Sequence, residues 1–184
     1  MTTSTLPGVD EALALAAKGD GAAFGQLVRE YQCLVFSLAY HFLRDRARAE
    51  EAAQEVFLRL YQNLRSIKSG AHLLFWLRKV TWRLCIDESR RNPAAVPVGL
   101  EEIAEPMAKP QDSDPLLDGR LRQLVASLPA KARMMVILRY QEELDFREIA
   151  EIMEVPINTV KSGLHRALAV LRTKLARTCG ETVS

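Results

Sequence analysis

The 184-residue chain contains few of the residues that build covalent cross-links or metal sites. Two of its three cysteines fall on otherwise apolar helical stretches, so we expect reduced thiols rather than disulfides. No histidine is spaced from another histidine or from a cysteine as metal ligands are, and we predict no metal and no other cofactor. These residues are Cys33, Cys85, Cys179, His41, His72 and His165.

Long apolar runs and catalytic motifs are also missing. No apolar stretch approaches the roughly 18 residues of a membrane span, and the N-terminus lacks the basic and apolar segments of a secretory signal. We therefore expect no membrane insertion and a cytoplasmic protein. The sequence contains no glycine-rich phosphate loop and no Ser/His/Asp or Cys/His set on plausible supports. We predict that the chain is not an enzyme.

The charges are unevenly distributed along the chain, although the net charge is only +2. Residues 1–91 carry 13 basic and 10 acidic side chains, residues 92–115 carry one and five, and residues 116–184 carry 11 and eight. The middle segment has five prolines and no helical periodicity outside a short turn near residues 100–105. We predict an all-α protein of two small helical domains, 1–91 and 116–184, joined by a proline-rich acidic linker.

Apolar residues at helical spacing predict four helices in the N-terminal domain. After a polar leader, 1–8, the first helix covers about residues 10–18, and Asp20 and Asp45 are candidate N-caps of the next two. Tyr61 belongs to the predicted inward face of the third. Residues 63–72 include basic and small side chains and a glycine, which predict a loop, and the fourth helix is predicted from 73 to 91.

The predicted helix after Asp45 has an outer face that combines acids, an amide and one leucine. This mixture suits a basic protein partner. An ordinary solvated helix face would give the same pattern, so both interpretations stay open on periodicity alone. The residues are Glu50, Glu51, Gln54, Glu55 and Leu58.

The last N-terminal helix is predicted to place cations and an aromatic ring on its outer face. Arg78, Lys79, Trp82 and Arg83 belong to this face, with Phe75 and Trp76 near the basic loop. Aromatic rings among cations are typical of surfaces that hold unpaired bases, because the rings stack on bases while the charges bind the backbone. Trp76 lies beside the apolar positions and fits a core better than a stacking platform.

Two helices separated by a tight turn are predicted near the C-terminus. Apolar residues recur at helical spacing before and after Glu154-Val155-Pro156. Proline disfavours helical geometry in the residue before it, so the first helix should end near Val155 and the second can start at Pro156. This is a helix-turn-helix. Helices over 116–127 and 130–142, the latter with Tyr140 in its core, complete a four-helix domain.

The outer face of the second of these helices carries hydrogen-bonding and cationic groups with no carboxylate. Such a face suits a DNA major groove, and the acids of this region end at Glu154. An amphipathic hairpin with a solvated polar face remains the alternative reading. The residues are Asn158, Thr159, Lys161, Ser162, His165 and Arg166.

Three segments resemble bacterial RNA polymerase sigma factors of the small extracytoplasmic-function group. AEEAAQEVFLRLY, residues 49–61, resembles the family's polymerase-clamp-binding motif. FWLRKVTWRLCID, residues 75–87, resembles the helix beside melted promoter DNA. Residues 128–168 resemble the domain that reads the upstream promoter element. All three in this order, across a linker, make the resemblance specific.

The resemblance implies a sigma factor that binds core RNA polymerase and promoter DNA and that has an anti-sigma partner. The acidic face, Glu50 to Leu58, would dock the clamp coiled coil of the largest polymerase subunit. The face from Asn158 to Arg166 would read the −35 element, with Thr159 on a phosphate. The residues implied for the single-stranded −10 element are Arg65, Lys68, His72, Arg78, Lys79, Trp82 and Arg83.

Three positions depart from the family pattern. Gly163 stands where a long side chain is frequent, so we expect a lost base contact and a locally weaker recognition helix. Glu154 stands where the turn usually has glycine, and Arg83 replaces a frequent asparagine. The runner-up function is a stand-alone helix-turn-helix regulator that binds duplex DNA as a dimer and needs no polymerase for binding.

Overall fold

The computed structural model describes residues 8–91 and 115–180. Within these ranges the chain forms eight α-helices, one 3₁₀ turn and no β-strand, so the predicted all-α fold is confirmed. The chain divides into two compact units, Met1–Asn92 and Pro93–Ser184. The predicted leader and linker lie outside the described residues, apart from Gly8 and from Pro115, which begins a helix.

The first unit is built around one long helix. Helix α2 packs against α1, α3 and α4. The Asp20 carboxylate accepts hydrogen bonds from the amides of Ala22 and Ala23 at 2.8 and 3.1 Å, and Asp45 accepts one from Arg48 at 3.0 Å, so both predicted aspartate caps are confirmed. The elements are α1 (Val9–Ala16), α2 (Gly21–Leu43), α3 (Arg46–Asn63), the 3₁₀ turn (Leu64–Ser66) and α4 (Gly70–Arg91).

Two aromatic side chains of this unit lie on the opposite side from the one predicted. Trp82 is 6% exposed, and its ring meets Phe42 of α2 edge to face at 6.2 Å, so its predicted place on the outer face of α4 is wrong. Tyr61, predicted to point inward, is 58% exposed, with the edge of its ring against Phe24. Both positions border an apolar face, where helical spacing does not decide which neighbouring helix covers the side chain.

The second unit packs three helices against the last one. Helix α8 contacts α5, α6 and α7, and its buried Val160 and Leu164 belong to the unit's apolar core. Tyr140 was predicted to belong to that core, but it is 57% exposed at the end of α6, so the prediction is wrong. The helices are α5 (Pro115–Ala126), α6 (Ala130–Tyr140), α7 (Phe146–Met153) and α8 (Ile157–Gly180).

The turn of the helix-turn-helix is closed by a residue in the left-handed conformation. Helix α7 ends at Met153, two residues before the expected end, because Glu154 has φ 56° and ψ 46°. The Val155 amide then donates to the Ala150 carbonyl at 3.0 Å, as in the Schellman closure of a helix. The glycine that is usual at this position is thus replaced without loss of the turn.

Candidate functional site

The outer face of α3 presents the five residues that the sequence placed there. Glu50, Glu51, Gln54 and Leu58 are exposed and Glu55 is half-buried. Leu58, 53% exposed, is the apolar member of the face. Glu50 pairs with Arg46 at 2.8 Å and Glu55 with Arg59 at 2.7 Å, each along the helix. Exposed pairs of this kind contribute little stability, so these carboxylates can exchange their partners for cations of another protein.

A half-buried ion pair holds α3 against α4. Arg48 donates to the Glu88 carboxylate from Nη2 at 2.8 Å and from Nε at 3.2 Å, and from Nη2 to the Glu88 carbonyl at 3.5 Å. The sequence did not reveal this contact, because its partners are 40 residues apart and neither stands out by pattern. The pair fixes the orientation of the α3 face relative to α4.

Only some of the residues predicted to bind the −10 element are exposed to solvent. Arg65, Lys68 and Arg83 are exposed, whereas His72, Arg78 and Lys79 are half-buried. Lys79 lies over the Phe75 ring, with its Nζ 5.7 Å from the ring centroid, so this ammonium is held by a cation–π contact. Because Trp82 is buried beneath this face, it supports the surface from the core and has no exposed ring on which a base could stack.

The segment before α4 is more ordered than the predicted loop. Helix α4 begins at Gly70, three residues earlier than expected, and the Ser69 hydroxyl accepts a hydrogen bond from the His72 amide at 3.2 Å. The Asp10 carboxylate of α1 accepts another from the Gly70 amide. Serine is a recognisable N-cap signal in the sequence. The contribution of Asp10, sixty residues away, is visible only in the fold.

The six predicted residues of α8 are all exposed on one face of that helix. The Ser162 hydroxyl donates to the Thr159 carbonyl at 3.2 Å, and Arg166 Nε donates to the Ser162 carbonyl at 3.2 Å. These two side chains therefore lie along their own helix. Both are exposed, so they can rotate outward toward a ligand at the cost of one weak hydrogen bond each.

Gly163 has a packing role that the sequence did not suggest. A Cβ atom at this position would lie 2.6 Å from Sδ of Met135 on α6. The position thus faces the neighbouring helix, and the expected loss of a base contact there does not follow from this geometry. The absence of a side chain lets α8 approach α6 closely.

The pKa values of two side chains outside the predicted sites, Cys85 and Asp145, are shifted. Burial raises the pKa of the Cys85 thiol to about 12, so this cysteine stays protonated at neutral pH, while Cys33 is exposed and also free. Hydrogen bonds from the Glu148 and Arg147 amides lower the pKa of the Asp145 carboxyl below 3.8. That carboxylate and Glu148 form a capping box at the start of α7.

In residues 8–91 and 115–180, no group of three or more His, Cys, Asp or Glu side chains could hold a metal ion. None of the helices in the described part of the chain combines the length and the apolar character that crossing a bilayer requires.

Known proteins match both units. The family model Sigma-70 region 2 matches residues 27–94, and Sigma-70, region 4 matches residues 118–171. The ECF RNA polymerase sigma factor SigW of Bacillus subtilis (strain 168) is 32% identical over 171 residues, which cover 86% of this chain and 91% of SigW. This chain belongs to the ECF RNA polymerase sigma factors. The resemblance inferred from the three sequence segments is confirmed.

Other members of the family, and solved structures, agree with this assignment. The ECF RNA polymerase sigma-E factor of Escherichia coli (strain K12) is 30% identical over 86% of this chain and 89% of its own length. CnrH, solved in complex with the cytosolic domain of CnrY, has a TM-score of 0.68 at 20% identity, over 92% of this chain and 98% of CnrH. The sigma factor RpoE of Bartonella quintana, solved with the anti-sigma factor NepR, has a TM-score of 0.64 at 21% identity, over 83% and 96%. At these identities the two structures show the shared fold.

As an ECF sigma factor, the chain directs RNA polymerase to specific promoters. Matches to two separate sigma regions in one chain do not favour the alternative of a stand-alone helix-turn-helix regulator. Helix α7, the turn at Glu154 and the start of α8 lie within residues 118–171, which match region 4.

Proposed function

We propose that the two units of this sigma factor divide promoter recognition between them. The first, residues 1–91, docks on core polymerase and holds the melted −10 element, while the second, 116–184, reads the −35 element through α8. The observation that carries this proposal is the opposite charge of two exposed helix faces. The α3 face is acidic, whereas α8 has no acidic residue between Ile157 and Gly180.

The α3 face suits a basic helical partner. Its carboxylates, Glu50, Glu51 and Glu55, would meet cations of the clamp coiled coil in the largest polymerase subunit, and exposed Leu58 would supply apolar contact. Gln54 adds hydrogen bonds that are independent of charge. The Arg48–Glu88 pair then transmits the docked position of α3 to α4.

The loop before α4 and the exposed side of α4 would hold one unpaired base and its neighbouring backbone. Unpairing a base costs a few kcal/mol, which stacking and pocket contacts worth about 1–3 kcal/mol per base can offset. Trp82 contributes from below, through packing against Phe42. The residues that would meet DNA are Arg65, Lys68, His72, Arg78, Lys79 and Arg83.

The exposed face of α8 would enter the major groove at the −35 element. Its cations and amide match the acceptor-rich edges of base pairs, and its freedom from carboxylates avoids repulsion of phosphates. Thr159 lies near the start of the helix, where a phosphate contact is favourable. The residues are Asn158, Thr159, Lys161, Ser162, His165 and Arg166.

Regulation would come from a protein that covers these surfaces. CnrH and RpoE were each solved with a second protein, in the case of RpoE an anti-sigma factor. We propose that this chain also has an anti-sigma partner, that it works in the cytoplasm beside the polymerase, and that it has no catalytic activity of its own. RNA synthesis then belongs to the core enzyme.

The docking face can be tested by charge reversal. In Glu51→Lys/Glu55→Lys, cations replace the carboxylates of exposed Glu51 and half-buried Glu55 on α3. We expect the affinity for core polymerase to fall about 10- to 100-fold, since like charges would now face each other. The measurement is fluorescence anisotropy of the labelled chain titrated with core enzyme. The matched control is Glu11→Lys/Glu30→Lys, which makes the same charge change at exposed positions of α1 and α2.

The same experiment separates the proposal from its rival. Unchanged polymerase binding by the α3 double variant would show that the docking face is wrong. A stand-alone regulator would instead bind promoter duplex without polymerase and would give the same transcription start sites with either double variant. Fluorescence anisotropy of labelled promoter duplex mixed with the chain alone measures binding without polymerase, and run-off transcription with each double variant measures the start sites.

A further inference from the structure

A polar side chain of helix α1, that of Asp10, reaches the first residue of α4. The Asp10 Oδ1 atom accepts a hydrogen bond from the Gly70 amide with a donor–acceptor distance of 2.6 Å. Gly70 is buried and is the first residue of α4. Amides in the first turn of a helix have no partner within the helix, so a carboxylate there satisfies a donor and complements the positive end of the helix.

The helix that carries Asp10 is anchored independently of this contact. Val9, Ala12, Leu13 and Ala16 of α1 are almost fully buried in the same apolar cluster that includes Leu73 of α4. Asp10 itself is exposed and contributes nothing to that cluster. The apolar face of α1 therefore fixes the helix, while Asp10 is the polar link between α1 and the first turn of α4.

Two more hydrogen bonds continue this link into the loop. The His72 amide donates to the Ser69 hydroxyl at 3.2 Å, and the Lys68 amide donates to His72 Nδ1 at 3.2 Å. Neutral His72 therefore carries its proton on Nε2. The backbone at Lys68 and the imidazole of His72 both follow the position of the first turn of α4, which Asp10 holds.

We propose that Asp10 is a positioning residue for the selection of one base in the −10 element. By holding the Gly70 amide it sets where Lys68 and His72 meet an unpaired base, without touching DNA itself. This inference rests on the proposed role of residues 65–72 in holding an unpaired base. It assigns to α1 a part in base selection in addition to its part in the core.

The test measures selectivity within one reaction. A library of promoter fragments randomised in both the −10 and −35 elements is transcribed by core polymerase with the wild-type chain, Asp10→Ala or Asp10→Asn, and the RNAs are sequenced. We expect Asp10→Ala to lower the preference at one −10 position about five- to tenfold, while the −35 preference and core affinity stay within about twofold. Asp10→Asn, whose amide oxygen still accepts a hydrogen bond, should keep most of the preference.

A matched control and the opposite outcomes complete the design. Glu11→Ala removes the neighbouring exposed acid of α1 and should leave every preference unchanged. Equal selectivity in wild type and Asp10→Ala, or an equal loss at all −10 positions, would overturn the inference, since the second result indicates general destabilisation of the first unit. A wild-type chain that gives no promoter preference at all contradicts the proposed function itself, and this inference with it.

Discussion

The two candidate DNA surfaces of this sigma factor are built in different ways. On α4, the cation of Lys79 rests on Phe75, His72 accepts a backbone hydrogen bond, and Trp82 packs underneath against another helix. On α8, all six candidate residues are exposed, and the Ser162 and Arg166 side chains donate hydrogen bonds to carbonyls of the same helix. The first surface depends on tertiary contacts, and the second depends mainly on the helical backbone.

This difference matches the two tasks proposed for the surfaces. An unpaired strand is flexible, so binding orders the DNA and loses its conformational entropy. The protein side chains should therefore already be held in place before binding. A DNA duplex is already ordered, and a helix with mobile polar side chains can adapt to it in the groove. We therefore expect substitutions of buried residues to disturb the α4 surface more than substitutions of exposed residues do. On α8, we expect single substitutions of exposed residues to leave the stability unchanged.

The largest expected effect comes from removing the support beneath α4. Trp82→Ala deletes a buried ring that contacts Phe42, and we expect it to lower the free energy of unfolding of the first unit by about 3–5 kcal/mol. The remaining tryptophan, Trp76, also lies in this unit, so tryptophan fluorescence during urea unfolding reports on this unit specifically.

The neighbouring residue supplies the control for this substitution. Arg83→Ala removes an exposed cation one position along α4, and we expect the stability to change by less than about 0.5 kcal/mol. If Trp82→Ala proved as mild as Arg83→Ala, the α4 surface would not depend on its core, and the contrast between the two surfaces would fail.

A substitution at Gly163, which faces α6, should destabilise the second unit more than an exposed substitution on α8 does. Gly163→Leu forces a side chain toward Met135 of α6, and we expect the second unit to lose about 1–3 kcal/mol of stability because the helices are overpacked. Hydrogen exchange of peptides from α6 and α8, followed by mass spectrometry, measures this loss. Lys161→Leu, an exposed substitution on the same helix, should leave exchange nearly unchanged. Equal protection in both variants would contradict the packing role of Gly163.

A smaller effect of opposite sign is expected at the turn before α8. Glu154 has a left-handed backbone conformation, which glycine adopts without steric cost, so Glu154→Gly should stabilise the second unit by about 0.5–1 kcal/mol. Thermal unfolding monitored by circular dichroism provides the measurement. Glu151→Gly places the same residue inside α7 and should destabilise by about 1 kcal/mol. A loss of stability in both variants would show that the Glu154 side chain outweighs its backbone strain.

The smallest expected effect is a pH dependence at the start of α7. The folded pKa of Asp145 is lowered, first by the Glu148 amide, so its carboxylate contributes stability above the ordinary pKa of 3.8. This contribution is lost as the pH falls from 3.8 through the folded pKa. Asp145→Asn keeps a capping oxygen but cannot titrate, and its second unit should show a weaker loss of stability over that interval. Identical pH profiles by circular dichroism would contradict the cap.

Local sequence patterns predicted the helices, two of their aspartate caps and the helix-turn-helix, and three sequence segments indicated the family. Apolar spacing and capping residues act over a few neighbours, so they can be read without the fold, as the caps at Asp20 and Asp45 confirm. The exposed α3 and α8 faces followed from the same periodicity. The roles of their residues in binding remain predictions.

The support beneath the α4 surface depends on contacts between helices that are distant in the sequence. Spacing along α4 left Trp82 beside the apolar face, and only the approach of Phe42 from α2 buries it. Likewise, the Asp10–Gly70 hydrogen bond and the approach of Met135 to Gly163 join residues that are far apart in the chain. Periodicity gives the direction of a side chain around its own helix axis, but the neighbouring helix determines whether that side chain meets solvent, an amide or another side chain.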